Sequence, residues 1–261
     1  MSHLMNNYGR LPVSFDHGQG VWLWDKEGHK YLDALAGIAV NSVGHAHPRL
    51  VRAIADQASK LIHCSDYFNI DLQEKVAEKL VEHSGLEAVF FCNSGLEANE
   101  CAIKIARKFG HAKGIEVPNI IVLKHAFHGR SIATLSATGN PSVREDFSPY
   151  TEGFIFVDES DLDGIRKIVE ENKNVVAIFF EPILGEGGVV PIDLSVIKGI
   201  REICDEHDLL MMCDEVQCGM GRSGKWFAHQ WAEIKPDVIT MAKGLAGGVP
   251  VGAVIVSEKA N

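Results

Sequence analysis

The sequence predicts an α/β fold: an open, mostly parallel sheet with helices on both faces, preceded by a small N-terminal segment. Short apolar runs without polar alternation recur along the chain, as a parallel sheet buried on both faces requires. Amphipathic helical patterns lie between these runs, which is the order of a repeated βα unit. The 261 residues, 46% of them hydrophobic, are enough for one large domain or two small ones.

The N-terminal segment, residues 1–47, contains one predicted β-hairpin. Residues 21–33 alternate apolar and polar side chains on both sides of a glycine-containing turn. Helical spacing begins at Pro48 and continues to Ile62, and this change sets the boundary with the predicted large domain, 48–261. The first five residues are typical of an expression-vector remnant and carry no fold prediction.

The large domain alternates between predicted helices and predicted strands. Apolar residues recur at helical spacing in 72–83, 95–109, 162–171 and 196–207. Strand-sized apolar runs occupy 89–92, 120–123, 153–157, 175–180, 209–213, 238–241 and 251–256.

Composition and charge exclude several classes of protein. The chain has 25 Lys and Arg against 35 Asp and Glu, a net charge of −10. Because phosphate neutralisation needs a basic surface, we do not expect a nucleic-acid-binding protein. No apolar stretch reaches the roughly 18 residues of a membrane span. The six cysteines form no CxxC pair, and we predict that they are buried thiols in a reducing, cytoplasmic compartment.

Polar and charged residues directly follow several predicted strands. In an open α/β sheet, ligands bind outside the carboxyl ends of the strands. We therefore expect these residues to converge on one edge of the sheet. They are Phe127 and Arg130, Glu181 and Glu186, Asp214 and Gln217, and Lys243.

The stretch 94–97 is a candidate anion site. It reads S-x-x-E at the start of a predicted helix, and Gly95 lets the backbone approach a ligand closely. Free N–H groups and the helix dipole favour a phosphate at such a terminus. A plain capping box, which needs no ligand, is the alternative.

Asp214 and Lys243 both lie at the ends of apolar runs. Burial of a carboxylate is costly unless it is paired, so Asp214 either caps a helix, forms a core ion pair or faces a buried cationic nitrogen. Lys243 has glycines after it and cannot easily reach water. Burial would lower its pKa and make it a nucleophilic amine; the alternative is an exposed loop lysine.

Together these residues meet the needs of pyridoxal phosphate. That cofactor needs a lysine for its aldehyde, a carboxylate on its pyridine nitrogen, a phosphate site and an aromatic face. Lys243, Asp214, the helix start at Gly95 and Phe127 would fill these four roles. Arg130 would hold a substrate carboxylate bidentately, or would be an ordinary surface arginine.

Six stretches of the chain resemble the class III aminotransferases, which are fold-type I pyridoxal-phosphate enzymes. The stretches are 33–48 (DALAGIAVNSVGHAHP), 90–107 (FFCNSGLEANECAIKIAR), 124–139 (KHAFHGRSIATLSATG), 181–191 (EPILGEGGVVP), 213–230 (CDEVQCGMGRSGKWFAHQ) and 241–253 (MAKGLAGGVPVGA). The resemblance runs from about residue 10 to 261.

The resemblance implies a cofactor role for several residues. Lys243 would bond the cofactor covalently and act as the proton-transferring base, and Asp214 would bind the pyridine nitrogen. Val216 would pack on the ring, Gln217 would lie near the ring hydroxyl, and Phe127 would stack on the ring.

It also implies contacts with the cofactor phosphate and the substrate. Ser94, Gly95 and Leu96 would hold the phosphate, the last two through backbone N–H groups. Arg130 would bind a substrate carboxylate. Glu186 matches a glutamate that pairs with a second substrate-binding arginine, which would lie beyond residue 261.

The resemblance further implies the reaction and the assembly. The stretch 37–48 (GIAVNSVGHAHP) favours members that move the δ-amino group of N-acetylornithine to 2-oxoglutarate, giving glutamate, in arginine biosynthesis. Succinylornithine, succinyldiaminopimelate, ornithine and 4-aminobutyrate remain alternative donors. Members form homodimers with the active site at the interface and continue through a C-terminal small domain. We therefore expect a truncated large domain, with an inactive fragment as the non-enzymatic alternative.

Two further motifs are weak. Gly219-x-Gly221-x-x-Gly224 matches a dinucleotide fingerprint, but no helical pattern follows it. The pairs His45-x-His47 and His125-x-x-His128 lack a Cys or carboxylate at ligand spacing. We therefore predict no nicotinamide cofactor, and we expect turn or capping histidines instead of a metal site.

Overall fold

The computed structural model describes residues 3–261; the first two residues of the expected vector remnant lie outside the described residues. The chain divides into two compact units, one reaching to Cys64 and the other spanning Ser65–Asn261. This division falls later than the boundary predicted after residue 47, because the helix Pro48–Ala58 belongs to the first unit. The assignment of 1–47 and 48–261 to separate domains of the whole protein stays a prediction.

The first unit contains a three-stranded antiparallel sheet in the order β1-β2-β3. Its strands are β1 Phe15–Gln19, β2 Trp22–Asp25 and β3 Lys30–Leu32. The predicted hairpin is confirmed, since Trp22 pairs with Leu32. The first strand, FDHGQ, is not predicted because it has no apolar alternation. Two helices follow, α1 Ala36–Ala39 and α2 Pro48–Ala58.

The second unit is built on a seven-stranded sheet in the order β4-β12-β11-β10-β7-β5-β6, beside a two-stranded hairpin of β8 and β9. The strands are β4 Ala88–Cys92, β5 Asn119–Leu123, β6 Phe154–Val157, β7 Val175–Phe180, β8 Ile183–Leu184, β9 Val190–Pro191, β10 Leu210–Asp214, β11 Val238–Met241 and β12 Gly252–Val256. The pairs formed by β5, β6, β7, β10 and β11 are parallel. Only β12 runs against its neighbours β11 and β4. The mostly parallel sheet is therefore confirmed.

The four predicted helices of this unit are present, with ends shifted by at most a few residues. The helices are α3 Asp71–Ser84, α4 Gly95–Ala112, α5 Ile132–Ala137, α6 Pro141–Arg144, α7 Leu162–Glu171 and α8 Leu194–Glu206. Gly85 ends α3 in the left-handed region, at φ 69°. The short α5 is not predicted, because most of its six residues are buried and show no amphipathic period.

Both faces of the sheet are covered, which explains the unbroken apolar runs. All six residues of β7 are buried. Ile178 and Phe180 lie in the core that contains Ile165 of α7 and α8 residues, whereas Phe179 lies in the core on the α4 side. Because each face meets a helix layer, neither set of alternating side chains is polar.

The cysteine prediction is only half right. All six thiols are free; Cys204, Cys213 and Cys218 are buried, but Cys64, Cys92 and Cys101 are half-buried. Among the helices that the structure describes, none combines the length and apolarity that crossing a membrane demands.

Candidate active site

Three charged residues lie at the ends of adjacent strands. Glu181 follows β7, Asp214 is the last residue of β10, and Lys243 comes two positions after the end of β11. Because these strands are parallel neighbours, their carboxyl ends meet at one edge of the sheet. The structure therefore brings the three residues to the edge at which the sequence places a ligand.

Asp214 is the most buried of these charges and accepts three hydrogen bonds. Its side chain is 3% exposed. Oδ2 lies 2.8 Å from Asn99 Nδ2 and 2.8 Å from His128 Nδ1, and Oδ1 accepts from the backbone N–H of Val216 at 3.0 Å. These partners are an amide, an imidazole and a backbone N–H, not a lysine or an arginine. Asp214 is therefore neither a helix cap nor part of a core ion pair with a basic chain.

The contact with Asp214 fixes the proton on the His128 ring. A carboxylate oxygen can only accept, so Nδ1 must carry the hydrogen. His128 Nε2 is buried and has no hydrogen-bond partner among the described residues. The ring also stacks on Phe179, with 4.1 Å between centroids. His128 is thus held as a hydrogen-bond donor behind Asp214.

Sequence reasoning missed both side-chain partners of Asp214. Asn99 lies one turn after Gly95 on a buried face of α4 that otherwise carries alanines such as Ala98 and Ala102. The sequence did carry one signal for Asn99: a polar residue on an otherwise apolar helix face needs a buried hydrogen-bond partner. The spacing of His125 and His128 predicts turn or capping histidines; His125 is exposed, but His128 is buried and donates to Asp214.

Lys243 is half-buried and adopts a strained backbone conformation. Its φ is +42°, which is uncommon for a residue with a side chain. Such strain concentrates at functional sites. Burial lowers the pKa of Lys243, while the nearby carboxylates of Asp214 and Glu186 oppose that shift. The structure therefore excludes the exposed loop lysine and supports an amine whose pKa is lowered by burial.

The start of α4 lies against the segments that carry Asp214 and Lys243. A Cβ atom built on Gly95 would be 2.7 Å from Val216 Cγ1 and 3.4 Å from Ala242 Cβ. Only glycine permits this approach, which brings the first turn of α4 next to Val216 and to the residue before Lys243.

The same helix start is also capped. Ser94 Oγ accepts from Glu97 N at 3.2 Å, and Glu97 Oε2 accepts from Asn93 N at 2.7 Å. The N–H groups of Gly95 and Leu96, in the first turn, have no intrahelical partner. The capping box is therefore present, but it leaves the N–H groups of Gly95 and Leu96 available to an anion.

The remaining candidates lie in two loops around this edge. The Phe127 backbone N–H donates to Glu181 Oε1 at 2.8 Å, and Arg130 Cζ lies 5.7 Å from the Phe127 ring centre, with Arg130 exposed. Gln217 packs so closely on Gly185 that a Cβ there would overlap its side-chain amide. The exposed Glu186 follows in the turn between β8 and β9.

Comparison with known proteins agrees with this arrangement. A family model of class-III aminotransferases matches residues 4–261. The chain belongs to this family. Acetylornithine aminotransferase of Nitrosomonas europaea is 54% identical over 260 residues, covering 100% of this chain and 66% of that protein. Acetylornithine aminotransferase 1 of Bordetella pertussis is 52% identical, and the match covers 99% of this chain and 66% of the Bordetella protein. The chain thus spans about two thirds of the length of these curated relatives.

Solved structures of the family share the fold. Ornithine aminotransferase from Toxoplasma gondii superposes with a TM-score of 0.93 at 34% identity, covering 99% of this chain and 62% of that chain. N-acetylornithine aminotransferase from Stenotrophomonas maltophilia superposes with a TM-score of 0.84 at 39% identity. This match covers 97% of this chain and 64% of that chain. The fold-type I expectation is therefore confirmed.

Class-III aminotransferases use pyridoxal phosphate, and the described residues fit that group. A pyridine nitrogen needs a buried hydrogen-bond acceptor, and Asp214 supplies a carboxylate that three donors hold in place. A covalent attachment needs an amine of lowered pKa, which Lys243 supplies. A phosphate needs free N–H groups with no side chain in the way, and Gly95 leaves that space.

Replacing Asn99 by Asp tests the hydrogen bond between Asn99 and Asp214. The substitution keeps the shape of the side chain but puts a second carboxylate where Asp214 now accepts a hydrogen bond. We expect Asn99→Asp to lower the free energy of unfolding of the full-length protein by about 2–4 kcal/mol at pH 8. The loss should be smaller at pH 5, because one of two adjacent carboxylates can then hold a proton. Urea unfolding at both pH values measures it.

Asn140→Asp is the matched control, since Asn140 caps α6 by accepting from Ser142 N. Asp caps a helix as well as Asn does, so a change within about 0.5 kcal/mol is expected. If the Asn99→Asp variant is as stable as the wild type at pH 8, Asn99 does not donate a hydrogen bond to Asp214.

Proposed function

We propose that the whole protein transfers the δ-amino group of N-acetylornithine to 2-oxoglutarate, giving the semialdehyde and glutamate, as a step of arginine biosynthesis. The observation that carries this proposal is that Lys243 and the buried Asp214 lie at the same sheet edge, at the ends of neighbouring parallel strands, in a chain of this family. The substrate assignment is supported by relatives named as acetylornithine aminotransferases at 45–54% identity.

The proposed cofactor contacts follow the sequence-based assignment. Asp214 would bind the pyridine nitrogen, and its three donors orient the carboxylate for that contact. Val216 would pack on the ring, beside Gly95, and Phe127 would stack on it. Gln217 would lie near the ring hydroxyl. Gly95 and Leu96 would donate N–H groups to the phosphate, with Ser94 ordering the turn.

The proposed chemistry needs a proton moved at one carbon. When bound, pyridoxal phosphate supplies an aldehyde for the amine and a ring that acts as an electron sink. Lys243 Nζ would take the proton from the substrate carbon that carries the amino group, acting as a general base. Its lowered pKa raises the fraction of neutral amine available for this step.

Substrate binding would use two residues near the exposed side of this edge. Arg130 presents a guanidinium group beside Phe127, where it would hold a carboxylate bidentately. Glu186 would pair with an arginine supplied by the part of the protein beyond residue 261.

Assembly and location belong to the same proposal. The resemblance to the class supports a homodimer whose active sites lie at the interface. Six free thiols and a net charge of −10 support a cytoplasmic protein.

Borohydride reduction after addition of pyridoxal phosphate tests the cofactor and its attachment. Mass spectrometry of the full-length protein should show a phosphopyridoxyl group on the peptide that contains Lys243, because that amine is the one with a lowered pKa at the site. Lys243→Ala should abolish the adduct. Lys225→Ala, which removes a lysine bound to the Gln230 carbonyl oxygen, should retain it. An adduct elsewhere, or none on the folded protein, would refute the proposal.

A second candidate donor is ornithine, because the structure superposes on ornithine aminotransferases. A pocket suited to the neutral amide of N-acetylornithine would have to desolvate the extra ammonium group of ornithine. We expect kcat/KM for N-acetylornithine to exceed that for ornithine at least about tenfold, or about 1.4 kcal/mol. Steady-state assays with 2-oxoglutarate measure this, and a preference for ornithine would favour the second candidate.

A further inference from the structure

Glu181 is a buried carboxylate to which neither the resemblance nor the proposed reaction assigns a role. It directly follows β7 and is 5% exposed. Oε1 accepts from the backbone N–H of Phe127 at 2.8 Å, and Oε2 accepts from the backbone N–H of Gly185 at 3.1 Å. One side chain therefore uses both of its oxygens on two different loops.

The two loops that Glu181 joins carry proposed site residues. The loop after β5 carries Phe127 and Arg130, and the turn between β8 and β9 carries Gly185 and Glu186. The two loops are distant in sequence, since Phe127 lies 54 residues before Glu181.

The chemistry of this junction requires glutamate. Both partners are N–H donors, so the side chain between them must offer two acceptors and no donor. A glutamine would turn an NH₂ group toward one of the N–H groups. An aspartate is one methylene shorter and would not span the same gap.

We propose that Glu181 is a positioning residue that holds the Phe127–Arg130 loop and the Gly185–Glu186 turn together as one unit. The roles of Phe127, Arg130 and Glu186 in this inference rest on the proposed function. The junction itself rests only on the contacts of Glu181.

The charges around Glu181 make this junction sensitive to pH. Asp214, His128, Lys243 and Cys218 all lie near enough to interact with it. Burial, together with the negative charge of Asp214, raises the pKa of Glu181 to about 7, while His128 and the two N–H donors oppose this. A proton on Glu181 converts one acceptor into a donor and removes one of the two bonds. The junction is therefore complete above neutral pH and loosened below it.

Hydrogen exchange by mass spectrometry tests the junction directly in the full-length protein with pyridoxal phosphate bound. In Glu181→Gln, we expect the segments around Phe127 and Gly185 to lose protection together, at least tenfold at pH 8. In the wild type, both segments should be less protected at pH 6 than at pH 8 after correction for intrinsic exchange. Glu181→Gln should show no such difference.

Asp237→Asn is the matched control. Asp237 is a buried carboxylate before β11, at the opposite edge of the sheet, and it accepts from Met211 N and Arg201. Its substitution should expose the segment around Met211 and leave the two loops unchanged. If Glu181→Gln does not fold, Glu181→Asp, which keeps the charge, should lose protection in at least one of the two loops.

A functional readout separates positioning from stability. Glu181→Gln should weaken the affinity for pyridoxal phosphate at least tenfold, because Phe127 is no longer held. At saturating cofactor it should still form the Lys243 adduct. Asp237→Asn should leave that affinity unchanged.

Unchanged protection in both loops of Glu181→Gln, or a loss of protection that extends to the strands of the sheet, would overturn the inference. If the wild type forms no Lys243 adduct, the proposed function fails, whereas the same exchange experiment on the protein without pyridoxal phosphate still decides whether Glu181 joins the loops.

Discussion

The structure of the site depends on the burial of one carboxylate at the end of the central strand β10. An ionised group taken out of water is costly unless donors replace the lost hydration. Three donors replace water around Asp214: Asn99 of α4, His128 of the loop after β5, and the backbone N–H of Val216 in the turn after β10. The same bonds therefore fix three separate segments relative to the sheet. Removal of any one donor would leave part of the charge uncompensated, which is why the arrangement admits few alternatives.

The sheet topology supplies the rest of the placement. Parallel β7, β10 and β11 bring Glu181, Asp214 and Lys243 to one edge. The antiparallel β12 lies between β11 and β4, so its amino end, at Gly252, lies at this edge instead of its carboxyl end. Gly252 approaches the Ser94 carbonyl so closely that no side chain would fit. This contact and the one at Gly95 let the start of α4 lie next to the turns that carry Val216 and Lys243.

The elements of the fold could be predicted from sequence more fully than the contacts of the site. Apolar runs such as 175–180 report burial directly, and the structure confirms β7 residue for residue. Asp214 and Lys243 could be singled out because a charge after an apolar run is conspicuous. The partners Asn99, His128 and Glu181 could not be assigned in this way, because their roles come from pairings between residues as far as 115 positions apart. Periodicity reports which face is buried, but it does not report which donor meets which acceptor.

The most direct test of this account is the protonation of the His128 ring, measured by ¹⁵N NMR of the full-length protein labelled at histidine. If His128 donates to the Asp214 carboxylate, Nδ1 carries a hydrogen and shows the ¹⁵N shift of a protonated ring nitrogen. A His128→Phe spectrum assigns the signals. A hydrogen on Nε2, with Nδ1 bare, would mean that His128 does not donate to Asp214 and would contradict the account.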